Sequence, residues 1–178
     1  MRAALAAMQP PNPRHPPLGR PGGPKGLNVL GLFAHHPELA HAFFTFNGHL
    51  LLASTLPVRD RELVVLRVAA LRECEYEWAQ HQIIAGDAGI SPEEVARVRS
   101  GPDAPGWSPE EAALLRAADE LVASAGLSDE TWTALASSYE TRQLLDLVFT
   151  VGAYDLLAMA FSAFGAQLDD DLRKAAST

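Results

Sequence analysis

The chain has 178 residues, 48% of them hydrophobic and 20% charged, a globular composition that excludes a wholly disordered or collagen-like polymer. Fourteen Lys and Arg against 22 Asp and Glu give a formal net charge of −8, which with no basic run along any predicted helix argues against nucleic acid as a partner. The single cysteine, Cys74, rules out an intrachain disulfide and any zinc site built from two cysteines of one chain, and it fits a reducing, cytoplasmic compartment.

At the N-terminus, Ala3 to Met8 is shorter than the apolar core of an export signal and is followed at once by prolines, so no export signal is read. Seven of the 13 prolines lie between Pro10 and Pro24. They deny this stretch both helix and sheet hydrogen bonds, and residues 1–26 are expected to form a Pro/Gly-rich flexible arm, mobile or draped on the surface. A helical domain over residues 27–178 follows. Asn28 is expected to cap a short helix through Phe33, and His36-Pro37 to open a longer one from Glu38 to about Ala53.

Pro57 breaks that helix. Asp60 is expected to cap the next, whose Leu63, Leu66, Val68, Ala70 and Leu71 leave little polar surface and place it near the centre. A helix from Glu75 to about Ala85 ends in glycines. Ser91-Pro92-Glu93-Glu94 and Ser108-Pro109-Glu110-Glu111 repeat one start signal, a Ser cap, Pro at the first helical position and an acid three residues after the cap. Ser128-Asp129-Glu130 gives a third start, and Arg142 to Gly165 forms the long final helix before a solvated Asp169-Asp170-Asp171 end.

No stretch alternates polar and apolar residues between turn signals. The predicted fold is therefore all-α, with about six to eight helices. The final helix is interrupted by Asp146 and Asp155, which argues for a core helix and against a membrane span. It is apolar around nearly its whole circumference, so it needs cover on every side, and a second subunit is one source of it.

The functional groups concentrate in Cys74-Glu75-Tyr76-Glu77-Trp78-Ala79-Gln80-His81. Positions 74, 77 and 81 share one helical face, and 77 to 81 is the i, i+4 step that lets Glu77 and His81 share a proton as an acid–base pair. Cys74 sits at the start of this helix, where a thiolate would be favoured. Glu75 points elsewhere. Metal is not expected: Glu38 and His41 make one Glu-x-x-His step, but a di-iron bundle needs two, and no HExxH occurs.

The run Arg61-Glu62-Leu63-Val64-Val65-Leu66-Arg67-Val68-Ala69, with Cys74-Glu75-Tyr76-Glu77-Trp78, His81 and Gly89-Ile90-Ser91, resembles the carboxymuconolactone decarboxylase superfamily, which also holds the alkyl hydroperoxidase D proteins. The resemblance covers about Asn28 to Leu168. It implies an all-helical subunit in a homo-oligomer, commonly a trimer or hexamer, with sites close to subunit contacts and no metal or organic cofactor. In the hydroperoxidase branch a glutamate, a Cys-x-x-Cys pair and a histidine act together. By resemblance the glutamate falls on Glu62, the first cysteine on Cys74 and the histidine on His81, but the second cysteine falls on Glu77. A disulfide-closing peroxidase cycle cannot run on one thiol, and the Tyr-Glu-Trp form is similar to the decarboxylase-like branch.

Decarboxylation of a small carboxylated lactone or oxo acid leaves an enolate-like carbanion, which calls for one proton and stabilisation of negative charge. His81 tuned by Glu77 is the expected proton donor, with Glu62 a second acid or base by resemblance. Tyr76 and Trp78 are expected to wall the pocket, and Arg67 or Arg72 to receive a substrate carboxylate. Two other readings stand beside this one: a single-cysteine peroxidase acting through Cys74, and a non-catalytic oligomer that binds a small molecule.

Overall fold

A computed structural model describes residues 1–16 and 25–175, and among these there are ten α-helices and no strand. The two Ser-Pro-Glu-Glu signals act as read. Ser91 and Ser108 each accept from the backbone N–H three residues on, while Glu94 and Glu111 reach back to the cap N–H, opening α6 (Pro92–Ser100) and α7 (Pro109–Ser124). Ser128 caps α8 (Asp129–Ala136) through the Thr131 N–H. Arg59 ties the two boxes together, bonding Glu94 at 2.6 Å and Glu111 at 2.7 Å.

The centre is α4 (Val58–Leu71), in which every residue from Arg61 to Ala69 is buried. Such a run needs neighbours on all sides, and α4 packs against α5 (Glu75–Asp87), α6, α7 and the long α9 (Thr141–Ala163). Leu63, Val64, Val65, Leu66 and Val68 are fully buried, each contributing up to about 1.5–3 kcal/mol of apolar transfer. Asp60 does not cap α4. The helix starts two residues earlier, after Pro57, and Asp60 in its first turn accepts from the Tyr139 hydroxyl at 2.9 Å.

The N-terminal half forms a layer over one end of this core. α2 (Leu27–Phe33) is entered from Gly26, whose φ of 63° a side chain would disfavour, rather than capped by Asn28. The Asn28 N–H and side chain instead bond Asp169 and the Gln167 carbonyl. In α3 (Pro37–Gly48), His36 Nδ1 accepts from the Leu39 N–H, so the His-Pro pair is the helix entry. The expected continuation to Ala53 occurs, but as a π turn, His49–Ala53.

The arm is more structured than its prolines suggested. Residues 2–7 form a helix, α1 (Arg2–Ala7), packed on α3, because Ala4 and neighbouring small residues allow close approach. At Gly48 an added Cβ would stand 2.4 Å from the Met8 carbonyl oxygen. Residues 10–16 have no helix, and the Arg14 and His15 N–H groups bond the Leu52 carbonyl left over at the end of the π turn. Residues 17–24 of the proposed arm lie outside the described residues.

At the other end, Asp169 is not a solvated terminus. It is 3% exposed and accepts from the Asn28 N–H and the Tyr76 hydroxyl, both at 2.8 Å, and the chain continues into α10 (Asp170–Ala175). α9 is long and apolar enough to cross a membrane by length and composition. Leu144, Leu147, Val151, Tyr154, Leu157 and Phe161 nevertheless bury one side of it in the core. The opposite side, Leu145, Val148, Phe149, Leu156 and Met159, is exposed in the single chain.

Candidate active site

α4 and α5 meet so that Glu62 and His81 face each other beneath a cavity of about 540 Å³. The His81 Nδ1–H donates to Glu62 Oε2 at 2.7 Å. The histidine is thus paired across helices to Glu62, not along its own helix to Glu77. Geometry decides this: Glu62 is fully buried with an oxygen 2.7 Å from the ring, whereas neither Glu77 oxygen reaches it, and an ionised carboxylate is a stronger acceptor than a protonated carboxyl. The other Glu62 oxygen accepts from Arg61 Nε at 3.0 Å, and Arg61 Nη1 donates to the Leu51 carbonyl at 2.6 Å. Burial alone would raise the Glu62 carboxyl, but His81 and then Arg61 outweigh it and hold the group below its ordinary range. His81 Nε2 makes no hydrogen bond to a described residue, and the ring lines the cavity edge-on to Tyr154, centroids 5.0 Å apart.

Glu77 lines the same cavity and is 2% exposed, yet neither carboxyl oxygen has a hydrogen-bond partner among the described residues. Burial pushes it up to about 8, so at neutral pH it is a proton-bearing carboxylic acid. Cys74, at the N-terminus of α5, lies beside it without a hydrogen bond and does not line the cavity. Burial, then the neighbouring Glu77 charge, pushes the thiol up to about 12. The thiol therefore stays protonated at neutral pH, the reverse of what a helix N-terminus alone would produce. The expected result with a thiol reagent such as Ellman's is no reaction of Cys74 in the folded protein and one equivalent after unfolding; rapid labelling of the native form would contradict it.

The three residues expected to bind substrate stand elsewhere. The Tyr76 hydroxyl donates to Asp169 and accepts from Gln80 at 2.8 Å, and its ring packs on Phe161, outside the cavity lining. Trp78 faces the other side of α5, packed in the cluster of Leu63, Leu66 and Val95 under the Arg99 guanidinium. Arg67 is spent on structure: it forks onto Asp119 at 2.5 and 2.9 Å and donates to the Val98 and Arg99 carbonyls. Arg72 is likewise bound to Asp155.

Arg61, a buried cation lining the cavity together with Lys25, was missed by sequence reasoning. It was marked by position, since Arg61-Glu62 is a charged pair opening an apolar run that must be buried, and a buried charge needs a reason. Tyr154 was also missed. Nothing in an all-apolar helix distinguishes it, but it lines the cavity, its hydroxyl bonds no described residue, and burial, followed by the Glu62 charge, holds it protonated. Much of the rest of the wall is apolar, with Phe33, Phe43 and Phe44 from α2 and α3 and Met8 and Pro16 from the N-terminal segment, and it is joined by the polar His15, Lys25, Asn47, Gln80 and Asp87. The His15 imidazole donates to the Ser54 carbonyl at 3.0 Å; burial and the Arg61 charge push it below its ordinary value.

Residues 37–120 match the model of the Carboxymuconolactone decarboxylase family, and this match together with the similar solved structures supports the carboxymuconolactone decarboxylase/AhpD-like superfamily for the fold. No curated protein matches it in sequence. Among solved structures it is similar to a putative antioxidant defence protein AhpD, of unknown function, from Agrobacterium tumefaciens, with 19% identity, TM-score 0.72, and coverage of 78% of this chain and 95% of that one. It is also similar to an uncharacterized peroxidase-related protein from Silicibacter sp. TM1040, with 20% identity, TM-score 0.73, and coverage of 81% and 77%. The debrominase Bmp8 shares 18% identity at a TM-score of 0.68 over 83% of this chain and 79% of that one, and a cysteine-to-alanine form of it has been solved with 2,3,4-tribromopyrrole. At these identities the likeness is one of fold.

Proposed function

We propose that the protein is a cofactor-independent carboxy-lyase or related lyase or isomerase acting on a small carboxylated lactone or oxo acid. The observation that carries this reading is the His81–Glu62–Arg61 chain of buried hydrogen bonds ending at a largely apolar cavity that also holds the uncharged Glu77 carboxyl. A substrate carboxylate enters a site made positive by Arg61. The bond from that carboxyl carbon to its neighbour breaks, carbon dioxide leaves, and the electron pair moves into the adjacent carbonyl as an enolate. The Glu77 carboxyl and the Tyr154 hydroxyl, both held protonated, donate hydrogen bonds to the enolate oxygen, and His81 gives a proton from Nε2 to the carbon. Glu62 fixes the ring and balances its charge.

Turnover of a panel of carboxylated lactones and β-oxo acids in deuterium oxide tests the proton step. The product is expected to carry one deuterium at the carbon that lost carbon dioxide; release of carbon dioxide without it would contradict enzymic protonation. That the similar debrominase holds a halogenated ring supports a cavity of this fold accepting a small flat molecule. The peroxidase reading is disfavoured by the buried, un-ionised Cys74.

We also propose that the subunit assembles with copies of itself, as a trimer or hexamer, through the exposed stripe of α9. Phe149 is 54% exposed and Phe46 of α3 packs edge-on to it at 6.0 Å, making an apolar surface too continuous for a lone subunit. Phe149→Glu is expected to shift the protein to monomer in light scattering after gel filtration. A wild type that is already monomeric would contradict the proposal.

A further inference from the structure

We propose that Asn47 is the residue that selects substrate, by binding a hydroxyl group carried on the substrate ring. The inference rests on the cavity being the substrate site, as argued above. Asn47 lies on α3 in a stripe with Phe43, Phe44 and Leu51, all four lining the cavity. It is the one polar member of that stripe. It is 7% exposed, and its side-chain oxygen has no hydrogen-bond partner among the described residues.

An asparagine in this position costs the fold twice. It is a poorer helix former than the leucine that the stripe would otherwise take, and it buries an amide without the hydrogen bonds that normally compensate burial. Among the described residues no contact to the side-chain oxygen offsets that cost. What offsets it is a ligand atom in the cavity. An amide presents one acceptor and a donor pair side by side, and a hydroxyl, which both donates and accepts, satisfies either end. The cavity thus offers an anion-binding group at Arg61, aromatic walls suited to a ring, and a hydroxyl-reading amide at Asn47. A substrate lacking the hydroxyl leaves the amide unpaired, and the site discriminates against it.

Benzoate and 2-, 3- and 4-hydroxybenzoate serve as probes, supplying a carboxylate, a ring and one hydroxyl at each position in turn, with dissociation constants read by calorimetry. At least one isomer is expected to bind wild type about tenfold more tightly than benzoate. In Asn47→Leu that isomer is expected to fall to within about threefold of benzoate, while benzoate binding is retained. Asn47→Ser, which restores a short hydroxyl partner, is expected to recover part of the preference and guards against a packing effect of leucine. The proposal is overturned if no probe binds, if no isomer exceeds benzoate, if the preference survives in Asn47→Leu, or if that variant weakens all four probes alike. These are equilibrium constants without turnover, so loss of the carboxy-lyase reading would leave this result standing, and the converse.

Discussion

His81→Ala is expected to lower turnover by about 10³-fold while leaving the fold and assembly intact, since general acid catalysis by a positioned side chain typically contributes 10²–10⁴. The ring occupies the cavity wall and its removal deletes one hydrogen bond to Glu62. Glu62 keeps its contact with Arg61, so the buried charge is not orphaned and the core survives. Glu62→Gln is expected to cost about 10²-fold by a different route. It leaves the imidazole in place but replaces the carboxylate that fixes its Nδ1–H, and it strips Arg61 of its counter-charge. Both variants are therefore expected to lose some stability, and His81→Ala, which leaves the Arg61–Glu62 pair intact, to stay folded and assembled while losing the larger share of rate. Melting temperatures and kcat measured on the same preparations check both expectations. A His81→Ala enzyme within threefold of wild type would remove the histidine from the mechanism.

The second large effect is on pH dependence and centres on Glu77. An unfolded chain gives up this proton near the ordinary carboxylate value, while the native protein holds it to about 8. Between those limits the unfolded state binds fewer protons than the native one, so stability falls as pH rises, and the full loss is reached above pH 8. The size is on the order of a few kcal/mol. Glu77→Gln cannot ionise and is expected to flatten this slope: similar to wild type near pH 4, and more stable by that margin at pH 9, in urea denaturation. Activity follows the same group. Ionised Glu77 would repel the enolate it serves, so kcat is expected to decline through about pH 8, and Glu77→Gln, which still donates a hydrogen bond, to keep much of its activity without the alkaline decline. Glu77→Ala lacks the donor and is expected to lose about 10²-fold. An alkaline limb that persists in Glu77→Gln would contradict this assignment.

Local chemistry in the sequence was strong where it concerned helix starts. The Ser-Pro-Glu-Glu boxes form from residues three apart, and no tertiary contact is needed to define them. Asp60 and Asn28 show the limit of the same reasoning. Each had the side chain of a cap, but Tyr139 and Asp169, 79 and 141 residues distant, supply competing partners. Glu77 and His81 are marked by the helix repeat and Glu62 by the family resemblance alone; the structure places Glu77 and His81 in one cavity wall, with Glu62 bonded to His81. Their pairing was not found, because i, i+4 adjacency says which side chains can meet and not which across-helix neighbour offers a better acceptor. Tyr76, Trp78 and Arg67 do not line the cavity beside His81 for a related reason. They occupy other faces of α4 and α5, and only the placement of α6, α7 and Asp169 shows that those faces are core. Cys74 had a sequence context that favours a thiolate, and burial beside Glu77 reverses it.

The carbon chemistry and the thiol chemistry open to this fold separate in a parallel assay of carboxylated lactones and hydroperoxides with wild type, Cys74→Ser and His81→Ala. Carbon dioxide release by wild type and Cys74→Ser, its loss in His81→Ala, and no consumption of hydroperoxide by any of the three is the expected result. Hydroperoxide consumption that disappears in Cys74→Ser, with no carbon dioxide released from any lactone, would show that the buried thiol and not the His81–Glu62 pair carries the activity.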